Sequence, residues 1–499
     1  MRDIFSLVIK SLSRHTLFVV ILIFIPACNY KSPGEEIQEF TILYTSDEHG
    51  WMAGLNDGAG AANLVGLWRS NFSADDQNIL ILSGGDNWTG PAISTWYSGE
   101  SMVEVMNTIG YSATAVGNHE FDFGLSEFKE RSGQAEFPYL AANLRNKKDG
   151  KVPVELGIHP FKIIRVGDLK VGVIGLASVL SPEIIKPSLV DEFYFMEYRK
   201  ALSDTVPVLR SQGVDVVVLI SHICTHELAR LAWQVRYLDI DVMGGGHCHE
   251  LRAERVAGTI IISGGSNFSG FGYAKMKLNS ETGQVISQSF GTGINQGGKP
   301  DPQISRLVEM WQNKTDAELG TVIGYLEEEI TRQSREMETL ITQAWLAAYP
   351  GADIAITNQG GIRDHLPSGE ITPAHLVSVL PFDNTLVELL LTGEQLLKVF
   401  NSTNSSLVGG LNKKGNQWFL EKNREPLETR ETYRVLVNDF MYEGGDDYDL
   451  LAQYDPHALY TTIGWREPVI DWISARQSNK QNPLDETIKK LGFKPSEEQ

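Results

Sequence analysis

The chain has 499 residues, of which 42% are hydrophobic and 21% charged, the balance of a folded globular protein with room for roughly two to four domains. That composition excludes a disordered chain, a collagen and a coiled coil. A formal net charge of −20 argues against a broad basic face for nucleic acid, so an anionic ligand must meet positive charge concentrated locally, and three cysteines are too few for a disulfide scaffold.

At the amino terminus, Arg2, Lys10 and Arg14 accompany the apolar run Leu17 to Ile25, and Pro26-Ala27-Cys28 follows. A basic stretch, a short apolar core and a small residue at a cleavage point make an export signal. The run falls short of the roughly 20 apolar residues a membrane span needs. Cys28 after Ala27 resembles a bacterial lipoprotein signal, in which the cysteine is acylated and becomes the first residue. An ordinary signal peptide or a short uncleaved anchor is the other reading. The expectation is a lipoprotein signal peptide over 1–27, lipid anchoring at Cys28, a polar tether over 28–39, and a periplasmic or cell-surface location.

From Phe40 onward, short apolar runs repeatedly end in polar clusters. FTILYT leads into Ser46-Asp47-Glu48-His49-Gly50, NILILSGG into Asp86-Asn87, and SATAVG into Asn118-His119-Glu120. DVVVLI leads into Ser221-His222, and DIDVMGGG into His247-Cys248-His249. Continuous apolar runs suit strands buried on both faces. Helical patterns such as His226 to Tyr237 lie between some of them, giving an alternating α/β reading. Ligands of open α/β sheets bind beyond the carboxyl ends of strands, and here five such ends deliver Asp, His and Asn. Near residue 298 the pattern changes. Gly298-Lys299-Pro300-Asp301-Pro302 is a breaker, and a helix is predicted from Gln303 to about Leu319. A helical stretch over 337–349 and strand-like stretches over 353–358 and 433–440 then indicate a second α/β domain of about 180 residues.

The candidate ligands are Asp47, His49, Asp86, Asn118, His222, His247 and His249. Mixed imidazole and carboxylate ligation suits Zn, Mn, Fe or Co better than Mg or Ca. Seven ligands are too many for one tetrahedral ion with an open position. Two divalent ions about 3.5–4 Å apart, sharing a carboxylate, would use all seven, supply a hydroxide at neutral pH and hold a phosphoryl group.

Together the five blocks, with Gly117-Asn118-His119-Glu120-Phe121-Asp122 the most specific, resemble the calcineurin-like metallophosphoesterases. From about Phe40 to Leu451 the chain resembles the 5′-nucleotidase and UDP-sugar hydrolase family within them. The resemblance implies a four-layer α-β-β-α sandwich over 40–297, a linker helix over 298–320, and an α/β substrate-binding domain over 321–499. It also implies that Asp47, His49, Asp86 and His249 hold one ion and that Asp86, Asn118, His222 and His247 hold the second. His119 would assist the departing group, oriented by Asp122. Asn358-Gln359-Gly360-Gly361-Ile362-Arg363, Pro381-Phe382-Asp383-Asn384 and Asn438-Asp439-Phe440…Gly444-Gly445-Asp446-Asp447-Tyr448 match family blocks in the second domain. By that likeness Asn358, Arg363, Phe440 and Asp446 bind substrate, the arginine on phosphate, the phenylalanine on a base and the aspartate on ribose.

The chain also departs from the family. No aromatic residue lies between Asn401 and Gln417, where a second stacking ring is usual, and Lys398 is the only Lys or Arg from Asp364 to Leu411. Phosphoester hydrolysis is therefore better supported than nucleotide specificity. The function expected is a dinuclear-metal phosphohydrolase acting on a small phosphoester, most simply a nucleotide, and on no nucleic acid polymer. A UDP-sugar pyrophosphatase, a cyclic phosphodiesterase, a thiosulfate-ester hydrolase and a non-catalytic surface lipoprotein are the rivals. Cys224 and Cys248 each lie within two residues of a candidate ligand. The plain expectation is two small, buried, inert thiols, with a disulfide the alternative if their loops converge.

Overall fold

The computed structural model describes residues 37–55, 59–72, 78–279, 282–402 and 406–492. The signal peptide, Cys28 and all but the end of the tether lie outside the described residues. Two β-sheets face each other in the first half of the chain. One has seven strands and is built around Ile37–Thr45, Ile79–Ser83 and Ala113–Ala115, adjacent and parallel. The other has six and is built around Leu169–Leu176, Val216–Ser221, Val242–Gly245 and Thr259–Gly264, also parallel. Phe40, Ile42, Leu80 and Leu82 of the first sheet meet Val171, Val216, Val218 and Ile260 of the second in one apolar layer. Helices Ala61–Phe72, Glu100–Ile109 and Gly124–Gln134 cover the outer face of the first sheet, and Tyr198–Arg210 and Thr225–Gln234 that of the second. The result is four layers, α-β-β-α. Both faces of each central strand are buried, which is why the runs are apolar without alternation.

The helix predicted from Gln303 runs over Pro302–Leu319, with Pro302 in its first turn and Asp301 accepting the N–H groups of Gln303 and Ile304. Its apolar side is not a free linker. Ile304 and Trp311 are buried in the core of the first half, and the Trp311 indole donates to Glu104 at 2.8 Å. The pattern of 226–237 overshoots: the helix ends at Gln234, and a 3₁₀ turn closes on Asp239, whose φ is 49°.

The second half carries a five-stranded sheet in the order Ser406–Gly409, Ile354–Asn358, Thr432–Asn438, Thr385–Thr392, Leu459–Gly464. Helix Arg335–Ala348 seals one face, with Trp345 buried against Trp465. The halves meet at Ala92, Leu319 and Val377, where the Ala92 N–H donates to Ser378. A second contact is the Lys186 ammonium, 2.9 Å from Asp439 and 3.5 Å from Glu443.

Between the facing sheets, Gly175 and Leu140 approach closely, and the Ala142 N–H donates to the Gly175 carbonyl at 2.7 Å. A methyl group on Gly175 would lie 2.1 Å from the Leu140 carbonyl oxygen, so backbone rather than a side chain would have to yield. Overpacking of a close-packed interior costs about 1–3 kcal/mol. We expect Gly175→Ala to lower stability by at least that, measured as a reduced urea midpoint with unchanged slope.

Candidate metal centre

Each candidate ligand stands one to four residues beyond a parallel strand. Asp47 and His49 follow Ile37–Thr45, Asp86 follows Ile79–Ser83, and Asn118 follows Ala113–Ala115. His222 follows Val216–Ser221, and His247 and His249 follow Val242–Gly245. The two sheets thus aim their carboxyl ends at one point. The loops turn sharply there: Asp47, His49, Asp86, His247 and His249 have φ between 45° and 71°. Asp and His tolerate this left-handed region better than most side chains, yet each such residue stores about 1–3 kcal/mol. Backbone bonds between loops hold them, with Asp47 N–H on the Gly85 carbonyl and His49 N–H on the Asp86 carbonyl, both at 2.9 Å.

The side chains converge in two groups. Asp47, His49 and His249 form one, and Asp86, His222 and His247 the other, each with ligand atoms within 4.8 Å of one another. His119 joins one member of each, His49 and Asp86, in a third group, with its Nε2 4.0 Å from Asp86 Oδ2. His49 Nδ1 lies 3.1 Å from the Thr89 carbonyl and His222 Nδ1 2.9 Å from the Gly84 carbonyl. A carbonyl can only accept, so both Nδ1 atoms carry the proton and both Nε2 atoms face inward, the arrangement that metal-binding histidines use. There, His49 Nε2 meets His249 Nε2 at 3.1 Å, and His222 Nε2 meets His247 Nδ1 at 3.2 Å and Asp86 Oδ2 at 2.9 Å. Asp47 Oδ2 and Asn118 Oδ1 are buried and accept no hydrogen bond. Paired ring nitrogens and orphaned acceptors in a buried cluster are the donor set a cation satisfies, so the residues fit divalent metal binding.

Burial pushes the Asp47 carboxyl up to about 7, with Asp86 adding to it and His222 opposing. Burial would raise Asp86 as well, but His222, His119 and His49 outweigh it and hold Asp86 well below the usual carboxylate range. Burial would lower His222, yet Asp86 raises it to about 10. Burial and the His222 charge push His247 down to about 4. Buried carboxylates here depend on cationic neighbours, and His222 fills that part through its own proton until another cation arrives.

Two carboxylates between the ligands in sequence act behind them. Glu120 accepts the backbone N–H of Asp86 (3.0 Å), Asn87 (2.7 Å) and Gly117 (2.6 Å), tying the second and third loops together. Glu48 accepts from Ser83 and from the Asn87 amide at 2.7 Å. Sequence reasoning missed both, and their position next to ligands was the only available signal.

His119 stands at the rim. Its Nδ1 is 2.8 Å from Asp122 Oδ2, and its ring stacks on Phe382 with centroids 5.7 Å apart. Burial lowers His119, but Asp122 and Asp86 more than offset it, leaving the imidazolium favoured. Beyond the ring opens a cavity of about 420 Å³ between the halves, lined by Asn118, His119 and His247 on one side and by Asn358, Arg363, Phe440 and Asp446 on the other. All four residues singled out in the second half therefore face the first. The Asn358 amide donates to Asp446 at 2.6 Å and accepts from Asn438 at 2.9 Å, which fixes Asp446 on its loop at φ 53°. Phe382 and Lys186 also line the cavity. Phe382 lay inside a quoted motif, whereas Lys186 had no signal in the sequence.

The two cysteines are paired: Cys224 and Cys248 form a disulfide. That corrects the expectation of two buried free thiols. Cys224 is buried, but Cys248 is exposed on the loop between His247 and His249, and the loops after two neighbouring strands converge there.

Asn118 separates ligation from structure cleanly. Its buried Oδ1 has no partner, so Asn118→Ala removes an unsatisfied acceptor and should leave metal-free stability unchanged or slightly higher. The upward shift of melting temperature on adding Mn²⁺ or Zn²⁺ should shrink, and affinity for one of two ions fall at least ~10-fold, about 1.4 kcal/mol. Thermal denaturation with and without the ion measures the first, and calorimetric titration of the metal-free protein the second.

Comparison with known proteins agrees with this geometry. A family model for the 5′-nucleotidase C-terminal domain matches residues 320–453. The chain is 28% identical to human 5′-nucleotidase over 498 residues, covering 84% of this chain and 85% of that one. It is 26% identical to the trifunctional nucleotide phosphoesterase protein YfkN of Bacillus subtilis over 495 residues, covering 85% of this chain but only 33% of that longer protein. Among solved structures, the 5′-nucleotidase precursor from Thermus thermophilus shares the fold, with TM-score 0.75, 23% identity, and coverage of 89% of this chain and 97% of that one. A C-terminal domain of this type, joined to a sandwich whose strand ends carry a metal-binding donor set, makes the chain similar over most of its length to 5′-nucleotidases and marks it as a metal-dependent phosphoric ester hydrolase.

Proposed function

We propose that the protein is an exported, lipid-anchored 5′-nucleotidase, which releases phosphate from nucleotides by means of two divalent ions. One observation carries the reading: His247 of one ligand group, with Asn118 and His119, lines a single cavity with Arg363, Asp446 and Phe440. Asp47, His49, Asp86 and His249 would hold one ion, and Asp86, Asn118, His222 and His247 would hold the other. Imidazole and carboxylate donors favour zinc, manganese or cobalt, with iron a further candidate. When bound, such a pair provides a nucleophile at neutral pH and neutralises the phosphoryl oxygens.

The protein's own groups do the rest. Arg363 presents a planar guanidinium to the phosphate, whose oxygens it can meet in pairs. Asp122 holds His119 Nδ1–H, so Nε2 points to the cavity and can give a proton to the departing alkoxide oxygen. Phe382 keeps the ring in place by stacking. Phe440 offers one face to a base, and Asp446, held by Asn358, accepts from ribose hydroxyls. Stacking from one side only suits a tolerant leaving-group site. The Cys224–Cys248 disulfide supports export, since disulfides persist in oxidising compartments, and no helix among the described residues is long and apolar enough to cross a membrane.

A phosphate-release screen across AMP, UDP-glucose, a cyclic nucleotide, p-nitrophenyl phosphate and its bis ester, with Mn, Zn and Co compared, tests the whole reading. The nucleoside monophosphate should turn over fastest, and inactivity of a metal-loaded preparation on all five would overturn it. We further expect His119→Ala to lower kcat by about 10²–10⁴ while both ions stay bound; metal loss in proportion to activity loss would make the residue structural. Phe440→Ala should raise KM for the nucleotide about 5- to 100-fold, given 1–3 kcal/mol per stacked base, and leave p-nitrophenyl phosphate kinetics unchanged.

A further inference from the structure

We infer that the Cys224–Cys248 disulfide is a positioning device for the metal centre, which holds the His247–His249 loop against the loop carrying His222. The proposal rests on the metal-centre reading above and adds a role that the hydrolytic chemistry does not itself require.

Three consecutive rungs join the two loops. The Gly246 N–H donates to the Ile223 carbonyl at 3.1 Å. Next comes the disulfide, with Cα atoms 5.1 Å apart. Beyond it the Thr225 N–H donates to Glu250 at 3.0 Å, and the Thr225 hydroxyl donates to the same oxygen. The rungs start one residue after His222 and enclose His247 and His249, so the crosslink sits inside the ligand set. It is also anchored well on one side: Cys224 is buried at the head of helix Thr225–Gln234, where its carbonyl accepts from Glu227 and Leu228.

The loop on the other side needs an anchor. His247 and His249 have φ of 71° and 55°, a conformation that persists only where surroundings over-determine it. Apolar packing cannot supply that here, because Cys248 is exposed and the His249 side chain is 43% exposed. Without the covalent rung the loop can relax toward negative φ. His247 Nδ1 would then leave its 3.2 Å approach to His222 Nε2, and His249 Nε2 its 3.1 Å approach to His49 Nε2. Since His249 stands in one ligand group and His247 in the other, both ions would lose a donor.

The test is calorimetric titration of Mn²⁺ or Zn²⁺ into metal-free full-length protein, wild type against Cys224→Ser/Cys248→Ser, well below either melting temperature. Serine keeps the volume and removes any thiol that could bind the ion itself. We expect both affinities to fall at least tenfold in the double variant. If the double variant does not fold, wild-type protein reduced in its folded state and capped as S-methylthio cysteines provides the same comparison. A lower metal-free melting temperature with unchanged affinities would make the disulfide a general stabiliser and overturn the proposal. Failure of the oxidised wild type to bind either ion would instead overturn the metal-centre reading, and this inference with it.

Discussion

Two carboxylates, Asp47 and Asp86, are almost wholly buried at the meeting point of the sheets, and among the described residues no lysine or arginine pairs with either. A lone buried carboxylate costs far more than a fold's net stability can bear, so it protonates or acquires a cation. Here the surrounding atoms divide the task. Imidazoles supply positive charge through protons that a stronger cation can displace, and the carbonyls behind His49 and His222 turn the Nε2 atoms of both rings inward. The arrangement is stable enough to fold and unsatisfied enough to bind. Orphaned oxygens on Asp47 and Asn118 mark the direction in which it is incomplete.

This concentration of charge explains how a chain of net charge −20 can handle an anion. Positive charge is assembled at one seam rather than spread over a surface. The first half contributes histidines, and the second brings Arg363 across the cavity to act on His49, His119 and His249 alike. The seam itself is held by Lys186 with Asp439 and Glu443, by Phe382 stacked on His119, and by the apolar contact of Ala92, Leu319 and Val377. Neither half alone encloses the cavity, so substrate recognition and chemistry are joined by how the halves dock. The helix Pro302–Leu319, whose position the sequence left between them, belongs physically to the first, because Ile304 and Trp311 fill its core. Any hinge must therefore lie beyond Leu319.

Much of this was readable because strands buried on both faces leave unbroken apolar runs, and each run ends in a polar cluster that core packing does not call for. Order along the chain then placed Asp47, Asp86, Asn118, His222 and His247 at strand ends. What stayed hidden depends on depth and direction rather than residue type. Glu48 and Glu120 sit beside ligands in sequence, yet point toward donors of neighbouring loops, Glu48 to the Ser83 hydroxyl and Asn87 amide and Glu120 to backbone N–H groups. The left-handed φ of five non-glycine residues has no signature in composition. Cys224 and Cys248 are 24 positions apart, and only the parallel pairing of Val216–Ser221 with Val242–Gly245 brings them together. Lys186 falls in a segment without periodicity, so its reach to Asp439 had no sequence warrant.

The bracing of the five loops follows their exposure. Where a loop is buried, a carboxylate accepting from its neighbours suffices, because no water competes for those donors: Glu120 accepts backbone N–H groups of the Asp86 and Asn118 loops, and Glu48 accepts the Ser83 hydroxyl and the Asn87 amide. The His247–His249 loop reaches solvent, where the same hydrogen bonds would lose most of their net worth to hydration. A bond that water cannot replace appears at that loop and at no other among the described residues. Burial thus decides not only which residues can hold a cation, but which kind of tether can keep their strained backbone in place while the site opens to a substrate.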